Sequence, residues 1–355
     1  TTTMGLFGAD IGNYTLTQPT LTGIITAKSV SILGSAVQSK VYDGTVTAAV
    51  NPGTLAGLVA GETLGTTTAT GIFADKNVGT KNVTVAYTLV DGANLASNYS
   101  LAGETLTGTI TAKALAITAP TIADKVYDGQ VTAGALTLGT LSGLVGSETV
   151  TASGSAGNFA SANVGSYNSA VTYALANGLN GGLAGNYSLA AGTATGRIMA
   201  KALAITAPTI ADKVYDGQVA PGALTLGTLS GFVGSETVTA SGVAASFSSA
   251  NVGSYGVGVT YTLGNGANGG LASNYSLAAG TTTGRITAKN ITMTASTVSK
   301  VYDGNATATV TLGTLSGLVG SEQLLASIAG GTGVGTFSSK DVGGNGTVSV
   351  TYQLT

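Results

Sequence analysis

Val83, Val85, Tyr87 and Leu89 alternate with Asn82, Thr84, Ala86 and Thr88. Such alternation puts every second side chain on one face, the mark of a half-buried strand. The same phase returns at Val257, Val259, Tyr261 and Leu263, and at Val348, Val350, Tyr352 and Leu354. Counting runs of this kind predicts about six or seven strands per repeating unit. Asp-Gly pairs such as Asp43-Gly44 predict turns between strands. Leu141, Leu144 and Val145 have helical spacing in a run closed by glycines, which predicts one short helical turn.

The pattern is periodic on a longer scale. K-V-Y-D-G begins at Lys40, Lys125, Lys213 and Lys300, at spacings of 85, 88 and 87 residues. N-Y-[ST]-L begins at Asn13, Asn98, Asn186 and Asn274. T-G-x-I-x-A-K ends at Lys28, Lys113, Lys201 and Lys289, and G-T-L-[AS]-G-[LF]-V-x-x-E ends at Glu62, Glu148, Glu236 and Glu322. The copies run 28–112, 113–200, 201–288 and 289–355, and residues 1–27 read as the tail of a preceding copy. Copy four ends at Thr355 without the strands of that tail. Two origins fit: a window on a longer covalent array, or head-to-tail completion of copy four by residues 1–27 of another molecule. Either way, both partial ends are expected to pack against continuing β-structure.

The joints read as uninterrupted strand, with no Gly or Pro between Thr109 and Thr118. Ile110 and Ala112 face one way, whereas Leu115 and Ile117 face the other, because an odd offset flips the face of a strand. Ile25 and Val30, Ile198 and Leu203, and Ile286 and Ile291 repeat the offset. One extended segment should therefore serve one core with its first half and the next core with its second. Such strand-sharing joints are stiff, unlike Gly/Ser linkers, and predict a rod.

Composition narrows the fold. Glycine supplies 55 of 355 residues and hydrophobic residues 43%. That content disfavours helix but supplies apolar surface for cores. The expected class is all-β: four tandem Ig-like β-sandwich units, with β-grasp-like units as the alternative. A net charge of −2 provides no phosphate-binding footprint, so nucleic acid is not an expected partner. No apolar run is long enough for a helical membrane span. With no His and no Cys, Ser-His-Asp triads, thiol nucleophiles and His or thiolate metal sites are excluded. The expectation is no enzyme, no cofactor and no metal.

The few charges are not scattered. Eight of the thirteen basic residues are the lysines of K-V-Y-D-G and T-G-x-I-x-A-K, and eight of the fifteen acids sit at Asp43, Asp128, Asp216 and Asp303 and at Glu62, Glu148, Glu236 and Glu322. With Tyr42, Gly44, Tyr127, Gly129, Tyr215, Gly217, Tyr302 and Gly304 they form the structural signature of the repeat. The plain reading gives each a job inside its own unit: aspartate capping a turn, glutamate accepting backbone N–H groups, lysine stems over apolar surface, tyrosine in the core. A sharper reading is a Lys40–Asn98 isopeptide bond promoted by Glu62. Asp124 with Asp128, and Asp212 with Asp216, could suit a calcium ion. Thr66-Thr67-Thr68 could present a flat face to ice or polysaccharide.

The recurring K-V-Y-D-G, the Phe159–Gly165 stretch ending in V-G, N-Y-S-L and T-G-x-I-x-A-K resemble YDG-type and MBG-related repeats. Those repeats belong to large secreted bacterial adhesins similar to filamentous haemagglutinin. The resemblance covers essentially the whole chain. It implies export to the bacterial cell surface and a role as a stalk, fibre or biofilm component. The expected partners are neighbouring copies of the repeat, covalent or head to tail, and surface glycans. A glycan- or ice-binding module is the rival reading.

Overall fold

The computed structural model describes residues 3–65, 67–328, 334–343 and 348–354. Among these, every regular element is a strand or a single 3-10 turn, and the fold is all-β: tandem sandwich-like units of curled sheets. Contacts divide the chain into two compact units. Thr1–Ala123, Ala133–Phe159 and Asn168–Gly196 form one; Asp124–Thr132, Ala160–Tyr167 and Arg197–Thr355 form the other.

Repeat 1 lies within the first unit. Its strands are β1 (Lys28–Leu33), β2 (Ala36–Val37), β3 (Lys40–Val41), β4 (Thr47–Ala48), β5 (Val50–Asn51), β6 (Thr54–Ala56), β7 (Thr68–Phe73), β8 (Gly79–Thr88), β9 (Tyr99–Leu101) and β10 (Glu104–Thr111). One sheet runs β6-β1-β9, a second β3-β10-β8-β7-β4, and β2 pairs with β5. The pairs β1–β9 and β3–β10 are parallel. Alternation along β8 appears as read: Val83 and Val85 are buried, while Thr84 and Ala86 are exposed. Phe73 lies opposite Val83, and its ring reaches where a side chain on Gly108 would stand. Phe159 and Phe247 do the same at Gly196 and Gly284, which accounts for the glycine of T-G-x-I-x-A-K.

Repeat 3, within the second unit, keeps the pairing of β8 with β10, but its hairpin is offset by one residue: Val259 lies opposite Ala244, whereas its counterpart Val85 lies opposite Gly71, the counterpart of Ala245. Its long hairpin pairs Val238–Ala244 with Gly253–Asn265, and Ile210, Phe247, Val257 and Ile286 form its core.

The joint is where the sequence reading is extended. β10 belongs to the large sheet of repeat 1, and the chain then pairs with repeat 2 through β11 (Lys113–Ala114) and β12 (Ala116–Ile117). The segment is not one continuous strand but three pieces, and Ile110 and Leu115, expected to serve separate cores, join one apolar cluster with Tyr42, Phe73, Val83, Val85, Val150 and Tyr187. The two cores expected on either side are continuous, because Tyr42 of repeat 1 and Tyr187 of repeat 2 fill the space between them.

Three local expectations change. The helical turn at Leu141–Val145 is instead a strand end, Leu141–Ser142, followed by a turn closed by the Glu148 N–H to Val145 O. Single 3-10 turns occur at Ala96–Asn98, Ala184–Asn186 and Ala272–Asn274, immediately before the N-Y tyrosine. Among residues 3–27 the one regular element is the 3-10 turn Ile11–Asn13, and Tyr14, Leu21, Ile24 and Ile25 are exposed. The expected strands are not formed there; their counterparts β9 and β10 are held by β1, β3 and β8, and residues 3–27 have no such pairing. The single strand read from Val348 to Leu354 is two pieces, Val348–Ser349 and Tyr352–Leu354, with Tyr352 and Leu354 exposed. In repeats 1 and 3 the matching strand is flanked on its second side by β10 or by Gly280–Thr287.

Candidate functional site: the joint between repeats

Pairing rules bring the signature together. β3 runs parallel beside the end of β10, so Tyr42-Asp43-Gly44 lies at the outgoing end of repeat 1, with the Tyr42 N–H on Thr111 O. On the incoming side, Lys113–Ala114 pairs with Tyr187–Ser188, and Ala116–Ile117 pairs with Leu141–Ser142. These two pairings carry Tyr187 and the turn ending at Glu148 to the same place.

Glu148 is the hub. Its Oε1 accepts the Tyr42 hydroxyl from repeat 1 at 2.7 Å, and its Oε2 accepts the Tyr187 hydroxyl from its own repeat at 2.7 Å. The Tyr187 oxygen in turn accepts the Val145 N–H at 3.1 Å. The two rings meet edge to face at 5.5 Å and 81°, the arrangement favoured by their quadrupoles. Lys76 of repeat 1 adds an ion pair at 3.0 Å. Glu148 is only 7% exposed, so its charge is tolerated because three donors surround it. Burial alone would raise its carboxyl, but the hydrogen bonds from Tyr187, Tyr42 and Lys76 outweigh that and hold it below the ordinary value.

The second unit repeats this geometry. Glu236 accepts Tyr127 at 2.7 Å and Tyr275 at 2.6 Å, and those rings meet at 5.5 Å and 80°. Alanine replaces Lys76 there, at Ala162. Burial, then hydrogen bonding to the glutamate, pushes Tyr127 and Tyr187 up to about 12. Tyr215 likewise donates to Glu322, and Tyr99 to Glu62.

An amide pair forms beside each hub. Asn186, 2% exposed, accepts the Val78 N–H at 2.9 Å and donates to Asn77 at 3.0 Å. Asn274 treats Val164 and Asn163 identically, at 2.9 Å in each case. The asparagine of N-Y-[ST]-L thus grips the preceding repeat. The role of Asn77 and Lys76 was not read from the sequence, although the Asn77-Val78-Gly79 triplet recurs at Asn163 and Asn251.

The rest of K-V-Y-D-G is local. Lys40 pairs with Asp43 at 2.7 Å and donates to the carbonyls of Thr45 and Thr47, while Asp43 accepts the Thr45 N–H. Lys125–Asp128, Lys213–Asp216 and Lys300–Asp303 make the same clip at 2.8, 2.7 and 2.6 Å. Its effect is to hold the Asp216 carboxyl below its ordinary value, chiefly through the Lys213 hydrogen bond. The turn-capping role of aspartate is as read. The glycine is different: Gly44 has φ +80°, and a Cβ there would stand 2.9 Å from Val145 of the next repeat. For Gly129 and Gly217 the corresponding contacts are Val233 at 3.1 Å and Val319 at 3.2 Å. Glycine here permits both the left-handed turn and the close approach.

The alternative sites fare differently. Lys40 is engaged with Asp43, and Glu62 with Tyr99, so these contacts do not assemble a Lys40–Asn98–Glu62 isopeptide site. Asp128 and Asp216 are paired with lysines, and no group of three or more His, Cys, Asp or Glu occurs among the described residues. Glutamate accepts tyrosine hydroxyls rather than backbone N–H groups, and of the signature tyrosines Tyr42, Tyr127 and Tyr215 reach the glutamate of the next repeat rather than staying inside their own. Thr66 of the threonine run lies outside the described residues. No helix among the described residues is long and apolar enough to cross a membrane.

The family model of the YDG domain matches four consecutive segments, residues 26–107, 111–195, 199–283 and 287–355. The chain belongs to the YDG domain family. The three letters of that name describe one connector: a tyrosine reaching the next copy, an aspartate fixing the turn, and a glycine making room for the neighbour. A search of curated proteins found no match. Among solved structures, the chain is similar to Drosophila N-cadherin EC1-4, at 11% identity and TM-score 0.25, over 74% of this chain and 75% of that one.

Proposed function

We propose that these YDG repeats are the structural, load-bearing region of an extracellular bacterial surface protein, a stalk or fibre with no enzymatic activity. The observation that carries this reading is the joint. The residues that define the repeat meet at hubs shared between successive copies, Tyr42–Glu148–Tyr187 and Tyr127–Glu236–Tyr275. A module selected for ligand binding would display its recurrent aromatics. Here Tyr42, Tyr99, Tyr127, Tyr187 and Tyr275 are buried, as are Phe73, Phe159 and Phe247. Joints that bury side chains from both partners resist bending, which suits a spacer holding a distant adhesive region away from a cell.

The test is immunogold labelling and protease shaving of intact cells of the source organism. Label on the outer surface, removed by external protease, is expected; label confined to the cytoplasm contradicts the proposal. A glycan array and an ice-recrystallisation assay separate the rival, with no binding expected in either.

A further inference from the structure

We propose that the open edge strand of repeat 3, Val238–Ala244, pairs antiparallel with the same strand of a second copy of this chain. The strand is the last of a four-stranded sheet; it is bonded to Gly253–Asn265 on one side and, among the described residues, to no strand on the other. Repeat 1 shows why that side is open. There the corresponding strand, β7, is covered by β4, with Gly71 opposite Ala48 and the Phe73 N–H on Val46 O. In repeat 3 the hairpin is offset by one residue, and Ala245, the counterpart of Gly71, gives its N–H to Gly258 instead. Such an offset reverses which backbone groups point away from the hairpin. The covering segment keeps the bond from the Phe247 N–H to Val219 O but forms no strand against the edge, and Pro221, with no N–H to give, stands where repeat 1 has Ala48.

With Ala245 bonded inward, the alternate residues Val238, Ala240, Gly242 and Ala244 turn their N–H and C=O groups outward. Exposed edges are ordinarily blunted by charged side chains or proline. Val-Thr-Ala-Ser-Gly-Val-Ala contains neither, and Val243 is 71% exposed on the outer face. Repeat 2 has the same kind of edge at Val150–Ala156, with the Gly157 N–H on Ala170 O and no charge or proline in the strand.

The register selects the occupant. The four outward residues are symmetric about Ser241, so a two-fold axis there sets Ala240 opposite Gly242 and Val238 opposite Ala244 of the second copy. Every outward group then meets an outward group, the condition for a closed antiparallel ladder. On the exposed face the same axis sets Val243 opposite Thr239 of the second copy, an aliphatic side chain against a β-branched one. No charge in the strand favours an unlike partner, and none opposes an identical one. A pair of seven-residue edges falls short of the roughly 1,200 Å² of a standard interface, so the association is weak and depends on concentration. The inference rests on backbone pairing inside repeat 3 and is independent of where the protein resides.

The experiment is sedimentation velocity of the full chain at low salt over about a hundredfold concentration range, with amide hydrogen exchange at both extremes. A lysine variant (Thr151→Lys, Ser155→Lys, Thr239→Lys, Val243→Lys) and a glutamate variant (Thr151→Glu, Ser155→Glu, Thr239→Glu, Val243→Glu) are compared with it, which charges the edges of both repeats. All four positions are exposed, so the fold should tolerate the changes. The wild-type chain should associate as concentration rises, with the Ala240, Gly242 and Ala244 amides gaining protection. Each variant alone sets like charges opposite one another and should lose association at least about tenfold. An equimolar mixture sets lysine opposite glutamate and should restore it. A wild-type chain that stays monomeric overturns the proposal, and so does association that leaves those three amides unprotected. Association that either variant leaves unchanged, or a mixture that restores nothing, overturns it as well.

Discussion

K-V-Y-D-G occurs at the outgoing end of repeat 1 and again in repeat 4, and the two copies differ in one respect. Lys40–Asp43 and Lys300–Asp303 form the same clip, at 2.7 and 2.6 Å, over the same carbonyl positions. Tyr42, however, is 1% exposed and Tyr302 is 55% exposed. The lysine and aspartate complete a turn that needs no neighbour, whereas the tyrosine acquires its environment from the following copy. A single five-residue motif therefore combines a local element with a connector. The glutamates show the same contrast: Glu148 is buried under two tyrosines and Lys76, while Glu322 is exposed and receives Tyr215.

The largest difference between the two ends should come from removing the ring. Tyr42→Ala empties a packed site and should destabilise its unit by about 3–5 kcal/mol. Tyr302→Ala should change stability by no more than about 0.5 kcal/mol. Denaturant unfolding of the two full-length variants checks this, and equal losses would mean the tyrosine acts within its own repeat. Next come the hubs. Glu148→Ala leaves two buried hydroxyls without their acceptor and should cost about 2–3 kcal/mol, against less than about 1 kcal/mol for Glu322→Ala.

Alkaline titration gives a smaller, signed effect. Tyr127 and Tyr187 hold their protons more tightly folded than unfolded, so their contribution is complete below the ordinary tyrosine value of about 10. It is lost as the pH rises toward about 12. Glu148 has the opposite sign: its contribution is complete above the ordinary carboxylate range and lost as the pH falls through its lowered value. Denaturation midpoints followed across both limbs should fall at each end. Replacing Tyr127 and Tyr187 with Phe should shrink the alkaline limb, and it should also shrink the Glu148 part of the acid limb, because the Tyr187 hydroxyl is among the donors that lower that carboxyl.

Much of the fold was legible in the sequence. The alternation at Val83, Val85 and Tyr87 is a property of the chain's own spacing, and it places a strand face directly; the odd offset from Ile110 to Leu115 did not separate two cores, because both residues join one cluster. Scarcity of charge also pointed to the right residues. The meaning of those residues was not legible, because a repeat period says where a residue sits in its copy but not which copy supplies its partner. Glu148 lies 39 residues before Tyr187 and 106 after Tyr42, and both distances recur nearly unchanged at Glu236. Only the parallel pairing of β3 with β10 and of Lys113–Ala114 with Tyr187–Ser188 decides that all three meet. The strands expected in residues 1–27 failed for a related reason: the motif specifies a strand only when its pairing partners are beside it.

A double-mutant cycle between Tyr42 and Glu148 in the full chain tests most directly whether the signature couples one repeat to the next. Tyr42→Phe, Glu148→Gln and the double variant are compared by denaturant unfolding. The joint geometry predicts a coupling energy of about 1–3 kcal/mol, with the second substitution costing far less once the first is made. Additivity within about 0.5 kcal/mol would mean that the two residues stabilise their own repeats separately, and would contradict the shared hub.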